Sequence, residues 1–469
     1  MNRNHATSLL AVALIVSLGW AVPAAAQSAA DFARMKAQME SMQAQLDAMK
    51  SKVDTLEGQL SQAQTEAQGA AAAAQSASAT AAKANEVATK TAAAVPKIAW
   101  KGAPEFTGPD GFSFKPRGRL QLDVGGVNGP SGINSKSLGY ATEFRRAYLG
   151  FEGTLPGNFG YRAEIDVANS AVDITDFFLT YKPKPELTLT LGQHKPFWGL
   201  EEMTSDLFTS FQERAAFNTA FGFERRVGAS AAFVGKTFLV QGGVFSDNAA
   251  DLNADTNNSY SLDGRVVFMP KLGGGQLHIG GSIHDRQFND ISTTARYRAR
   301  PFVHTIDLRL VDTKAFSATG ETSYGAELAY IAGRFHATGE GHWITAHRPG
   351  LADPTFFGGY AEIGYMLTAD ETAYKAGVYD RIKPKHPLGK GGMGALQFNA
   401  RYDSLDLSDG VIVGGRQQTA AASLLWIPTD YVRFILNYGH IWIDDAAVSA
   451  AGNRKYTADA LGARAQFDF

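Results

Sequence analysis

From about Phe112 onward, polar and apolar side chains alternate one for one along segment after segment. Arg117, Arg119, Gln121 and Asp123 interleave with Leu120, Leu122 and Val124. Arg162, Glu164 and Asp166 interleave with Tyr161, Ala163, Ile165 and Val167, and Gln397, Asn399 and Arg401 with Leu396, Phe398, Ala400 and Tyr402. Successive side chains of a strand point to opposite faces, so each segment has one apolar and one polar face. A soluble sandwich alternates too. Here the apolar faces are capped by aromatics and the polar faces carry charges over many consecutive segments, which is a lipid-out, lumen-in pattern. Beyond the N-terminal leader no stretch reaches the roughly 18 continuous apolar residues of a spanning helix. A membrane-spanning fold is therefore a closed barrel, which satisfies every backbone group without such a run.

Composition fits that reading. The 49 glycines and the 29 Phe, 16 Tyr and 6 Trp suit many strands, tight turns and interfacial girdles. About 360 residues at about 22 per strand and loop give about 16 strands, an even number as this class requires. Leu461, Ala463, Ala465, Phe467 and Phe469 occupy every second position of the last segment. A final strand with a terminal aromatic resembles the assembly signal of bacterial outer-membrane proteins; an ordinary exposed edge of that kind would be an aggregation hazard. The expected fold is all-β: a transmembrane antiparallel β-barrel of about 16 strands preceded by an N-terminal coiled-coil helix.

The N-terminal quarter is different. Arg3 and His5 precede an apolar run from Ala6 to Val22 and an A-x-A site ending at Ala26, so residues 1–26 read as a signal peptide. Phe32, Met35, Met39, Met42, Leu46, Met49, Val53, Leu56, Leu60, Ala63 and Ala67 follow in steps of three and four. That heptad seam predicts an oligomeric coiled coil over 27–68. Residues 69–105, rich in Ala, read as a linker, and 106–469 as the barrel. The chain has no cysteine, which suits export through an oxidising compartment.

Catalytic motifs are missing: there is no G-x-S-x-G and no H-E-x-x-H. Gly389-Lys390-Gly391-Gly392 lacks the rest of a phosphate-binding loop and reads as a hairpin loop. His336, His342 and His347 follow no metal-ligand spacing. No enzyme, cofactor or metal site is expected. A net charge of −2 gives no field for nucleic acid. The informative charges are arginines. Arg296, Arg298 and Arg300 lie two residues apart, so in an extended segment they point the same way, about 6–7 Å apart. They form either an anion ladder or a solvated basic face. Arg145 and Arg146 are adjacent, and adjacent strand residues face opposite ways. Either one lies beyond the lipid band or the strand begins between them.

Several segments match a family. Phe112-Ser113-Phe114-Lys115-Pro116-Arg117-Gly118-Arg119, Phe144-Arg145-Arg146-Ala147-Tyr148-Leu149-Gly150-Phe151-Glu152, Gly192-Gln193-His194-Lys195-Pro196-Phe197-Trp198-Gly199, Glu213-Arg214 and Arg401-Tyr402-Asp403-Ser404-Leu405 resemble, in order, the phosphate-selective porin O and P family. The resemblance implies a 16-stranded trimeric porin with a basic lumen. It implies that Arg119, Arg145 and Arg146 lie near the constriction. It also implies that Ser205 and Arg214 come from an infolded constriction loop after the Lys195 motif, and that Arg296, Arg298 and Arg300 form an outer ladder. The sequence departs at Gly160 and Glu202, where phosphate-specific members carry lysines. Glu202 would repel an anion, which weakens the case for a tight phosphate site.

The expected function is passive diffusion of small anions, with phosphate or polyphosphate as candidates, through the bacterial outer membrane. The expected partners are those anions, outer-membrane lipid and two further copies in a homotrimer. The competing readings are a general or sugar-type porin of weak charge selectivity, and an envelope tether that reaches peptidoglycan or a periplasmic partner through the coiled coil.

Overall fold

The computed structural model describes residues 29–133, 138–252, 258–290 and 293–469. The signal-peptide reading of residues 1–26 lies outside them. The chain divides into two compact units that meet between Ala92 and Ala93. Among the described residues, the first is one helix, α1 (Ala29–Ala94, its last two residues past the division), which covers both the heptad segment and most of the Ala-rich stretch. No described helix is long and apolar enough to cross a membrane.

The second unit is a barrel. Its first eight strands are β1 (Ser113–Asn128), β2 (Gly139–Leu155), β3 (Phe159–Asp166), β4 (Asp173–Lys184), β5 (Leu187–His194), β6 (Arg226–Val234), β7 (Phe238–Phe245) and β8 (Tyr260–Phe268). The other eight are β9 (Gly275–Gln287), β10 (Gly320–Ala332), β11 (Phe335–His347), β12 (Thr355–Met366), β13 (Ala395–Asp409), β14 (Ile412–Thr429), β15 (Val432–Asp444) and β16 (Tyr456–Asp468). Each pairs antiparallel with the next, and β16 pairs with β1 from Asp459↔Asn128 to Asp468↔Arg119. The sheet is therefore closed at 16 strands. The last strand is no edge: it is bonded on both sides, and Phe469 exchanges backbone hydrogen bonds with Gly118. Closure removes the aggregation hazard of an apolar final strand.

Burial is inverted relative to a soluble protein. Gln121, Asp123, Asn437 and Arg464 are fully or almost fully buried inside, whereas Leu122, Leu191, Phe398 and Leu436 are 40–63% exposed outside. An apolar surface of this extent is stable only against lipid. Aromatic pairs mark its two borders. Phe159–Tyr181, Phe238–Phe268 and Trp426–Phe434 lie at the end with short turns, and Trp343–Phe357 lies at the other. Short turns face the periplasm in this class. Lys97–Trp100 and Pro104–Thr107 form a small hairpin that adds to the start of β1 at that same end.

Among the described residues, three connections fold into the lumen. The longest in consequence joins β5 to β6 (195–225). It leaves the wall at β5 and is bonded to strands on the far side: Ala216 N–H donates to Asp403 Oδ2 at 2.7 Å, Gln212 N–H to Asn437 Oδ1 at 3.0 Å, and Ser423 Oγ–H to the Ser210 carbonyl at 2.7 Å. A second joins β9 to β10 (288–319) from the outer end. Its Ala295, Tyr297, Ala299, Val303 and Leu310 are buried in one apolar cluster with Phe217, Phe356 and Ile441. The third, between β12 and β13 (367–394), enters from the short-turn end. Tyr374 Oη is 2.6 Å from His278 Nδ1, and Tyr379 N–H donates to Thr204 Oγ1 on the first loop at 3.2 Å. The glycine-lysine stretch at 389–392 belongs to this third connection.

Candidate functional site

Every basic residue picked out from the sequence lines a cavity of the lumen, and the cavities share walls. The outer one, about 690 Å³, is lined by Arg296 and Arg298 together with Arg286 and Arg309. A small one of about 240 Å³ holds Arg300 beside Arg145 and Arg214. The middle one, about 640 Å³, carries Arg145, Arg146, Lys195 and Arg214. The inner one, about 710 Å³, carries Arg119, Lys195 and Ser205. Thr219 and Gly222 belong to both outer and middle cavities, and Lys195, Asp206 and Arg225 to both middle and inner ones. The residues therefore follow one another from the outer mouth, past the β5–β6 loop, to the short-turn end.

The arginine pair has a structural solution that strict alternation does not contain. In the β1–β2 ladder Gln121 faces Arg146 and Leu122 faces Phe144, leaving Arg145 as the extra residue of a β-bulge. A bulge re-aims one side chain without ending the strand. Neither alternative drawn from the sequence holds: the strand runs through, and both arginines turn inward. This avoids the cost of about 2–4 kcal/mol for a cation in mid-bilayer lipid.

Each of these cations has an acidic partner. Arg146 Nε is 2.7 Å from Asp206 Oδ2, and Arg119 also pairs with Asp206. Arg145 holds Glu213 through two bonds of 3.0 and 3.1 Å. Lys195 Nζ is 2.8 Å from Glu202 Oε1, and Arg214 Nη1 is 3.4 Å from Glu202 Oε2. Arg214 is otherwise spent on its own loop, donating to the carbonyls of Glu201 at 3.0 Å and Thr204 at 2.9 Å. Ser205 Oγ accepts from Leu207 N–H at 3.3 Å. Around the middle cavity five Lys or Arg meet five Asp or Glu, so this cavity is charge-balanced. Around the inner cavity nine Lys or Arg meet four Asp or Glu, so that chamber is basic.

The Arg296–Arg298–Arg300 run lies on the β9–β10 loop and not on a barrel strand. Its alternation is used differently from a strand's: Ala295, Tyr297 and Ala299 glue the segment to the inner wall, while Arg296 and Arg298 stay exposed to the outer cavity. Arg296 forms a two-bond pair with Asp312, at 2.9 and 2.5 Å. Burial alone would raise the Asp312 carboxyl. Hydrogen bonds from Arg296 and Lys314 outweigh it and hold the group at about 2. Arg300 turns toward the Ile306 carbonyl and Asp307, each at 3.1 Å. Arg298 pairs with Asp312 through its backbone ladder, but its side chain makes no hydrogen bond or ion pair with a described residue.

Sequence reasoning missed the carboxylates that complete the set. Asp206 follows Ser205 and Glu213 precedes Arg214, so both were in view, but no spacing rule pairs a loop acid with a strand base. It also missed Arg225, Arg381 and Lys383 of the inner chamber. His336 and His342 are buried wall residues; His336 Nε2 bonds Glu362 at 3.1 Å. Among the described residues no group of three or more ligating side chains could hold a metal.

The model of the phosphate-selective porin O and P family matches residues 114–469, the whole closed barrel. The chain belongs to that family. This porin is 45% identical to an uncharacterised protein of Caulobacter vibrioides, over 81% of this chain and 78% of that one. It is 26% identical to Porin O of Pseudomonas aeruginosa, over 64% of this chain and 74% of that protein. Among solved structures it resembles the anion-selective porin from Comamonas acidovorans, with a TM-score of 0.52, 12% identity, and coverage of 76% of this chain and all of that one. It also resembles outer-membrane-expressed OmpT of Vibrio cholerae, with a TM-score of 0.50, 9% identity, and coverage of 80% and 100%. At such identities the solved structures establish the fold alone. Family and fold together place this porin in the bacterial outer membrane and make it a channel rather than an enzyme.

Proposed function

We propose that this porin passes small anions by diffusion along the path from Arg298 through the β5–β6 loop to the inner chamber. The observation that carries the reading is the inner chamber's excess of nine basic over four acidic residues, in series with the outward-facing arginines. Selectivity of this kind comes from the sign of the charge lining the pore, with sites weak enough to release the ion. Arg119, Arg145, Arg146, Lys195, Ser205, Arg214, Arg296, Arg298 and Arg300 are the proposed contacts.

Phosphate is a permeant ion in this reading and not a tightly held one. Glu202 pairs with both Lys195 and Arg214, and Asp206 with both Arg119 and Arg146, so each of these cations already has a carboxylate partner. A tight phosphate site needs donors that are free to turn to the ligand.

The balanced middle cavity favours a second reading, a porin of weak charge selectivity that also admits neutral solutes. Liposome swelling separates the two. Faster entry of small monocarboxylates than of neutral sugars of equal size supports the anion reading, and equal rates support the other. Maltodextrin block of the current would mark a sugar channel.

The functional unit proposed is a homotrimer. The support is the uncovered heptad face of α1, where Phe32, Met39, Leu46 and Leu60 are each more than half exposed in a single chain. An envelope tether through the same helix is compatible with transport and is tested by deleting residues 27–95 and measuring envelope integrity.

A further inference from the structure

The Ala-rich half of α1 has no obvious purpose as a spacer. It is helical without a break from Ala29 to Ala94, about 100 Å of helix at 1.5 Å per residue. Numbering Phe32 as the first seam position, the alternating steps of three and four do not stop at Ala67. They continue through Ala70, Ala74, Ala77, Ala81, Ala84 and Ala88. Ten of the sixteen residues from Gln75 to Lys90 are not alanine, and none of the ten falls on the seam. The polar groups that bond within the helix also avoid it. Lys90 pairs with Glu86 at 2.7 Å, and the Thr55, Thr65 and Thr89 hydroxyls donate to carbonyls one turn back, all from outer positions.

We propose that α1 packs against α1 of other copies of this chain, parallel and in register, along one seam that runs from Phe32 to Ala88. The proposal rests on the self-assembly proposed above and adds its direction, register and extent. Nine large side chains, Phe32 to Leu60, form the wide part of the seam, and eight alanines, Ala63 to Ala88, form a narrow part in which the helices approach closely. The partner is a second copy because the flanking charges suit one. In a parallel in-register pair the residue before one seam position faces the residue five later on the partner. That rule puts Asp31 against Lys36 and Lys52 against Glu57, opposite in sign, and Gln38 against Gln43 and Gln59 against Gln64, both neutral. No like-charged pair arises. An antiparallel pairing sets these charges toward the Ala-rich half, whose seam-flanking residues Ala71, Ala73, Ser78, Thr80, Asn85 and Val87 carry no charge. Copies inserted in one membrane also share one orientation, which a parallel seam satisfies.

The chain has no cysteine, so one introduced thiol reports one position. In the full-length protein, Leu56→Cys and Ala77→Cys lie on the seam, while Ser51→Cys and Ala79→Cys lie on the outer face. A disulfide needs Cα atoms about 4.4–6.8 Å apart. Mild oxidation in isolated outer membranes is expected to join both seam variants to identical copies and to leave the outer-face variants unjoined. Cross-linking at Leu56→Cys but not Ala77→Cys overturns the narrow seam and restores a spacer. Equal cross-linking at Ala77→Cys and Ala79→Cys does the same. No cross-link at any position, with the barrel still migrating as a trimer, overturns the helix packing and leaves the trimer standing. No cross-link with a monomeric barrel removes both.

Discussion

Glu202 sits between Lys195 and Arg214, 2.8 Å from one and 3.4 Å from the other, and offsets part of the charge that the two would offer an anion. All three residues belong to the loop that crosses the lumen. A carboxylate at this place helps to balance the middle cavity, where the inner chamber is basic.

Glu202→Gln is therefore expected to increase anion preference. One unit charge at about 4 Å changes an ion's energy by about 1 kcal/mol in water-like surroundings, a factor of about 5 in permeability ratio. Bilayer measurement of the chloride-to-potassium ratio checks it. An unchanged ratio would remove Glu202 from the permeation path.

At the outer mouth Asp312 holds Arg296. Its carboxyl ionises at about 2, a depressed value, so the contact is complete above the ordinary aspartate range and is lost only as pH falls through about 2. Anion conductance should be insensitive to this pair between about pH 5 and 8. Asp312→Asn should release Arg296 and raise conductance at low salt, with the gain fading at 1 M, where the screening length is about 3 Å.

Arg298→Glu is expected to lower anion conductance, because Arg298 faces the outer cavity without an acidic partner among the described residues. Conductance equal to that of the parent would mean that ions bypass this face.

The crossing loop depends on its far anchor. Arg401 Nη2 lies 2.5 Å from Glu201 Oε1 on the loop and 2.7 Å from Glu362 Oε2 on the wall, all three buried. Arg401→Met takes the shared cation from two buried carboxylates, at a cost of about 3–5 kcal/mol. The expected result is a barrel that still inserts but shows noisier, larger conductance as the loop leaves the lumen. A silent substitution would show that the backbone bonds of Ala216 and Gln212 suffice.

The barrel was legible in the sequence because lipid on one side and water on the other impose a strict period of two. Leu120, Leu122 and Val124 face out and Gln121 and Asp123 face in, as their positions require. The strand count followed from length. Local pattern failed where one inserted residue changed a side chain's direction, as at Arg145, since a bulge leaves no mark in polarity. It failed again where charge balance depends on tertiary contact. Arg119, Arg145 and Arg146 sit in recognisable strand motifs, but their partners Asp206 and Glu213 reach them only because the loop folds back across the lumen. The inward course of 367–394 was invisible for the same reason.

The reversal potential of single channels in a tenfold KCl gradient decides whether the basic path selects anions. An anion-selective potential is expected, with chloride more permeant than potassium, that shifts toward zero in Arg298→Glu. A cation-selective potential would contradict it.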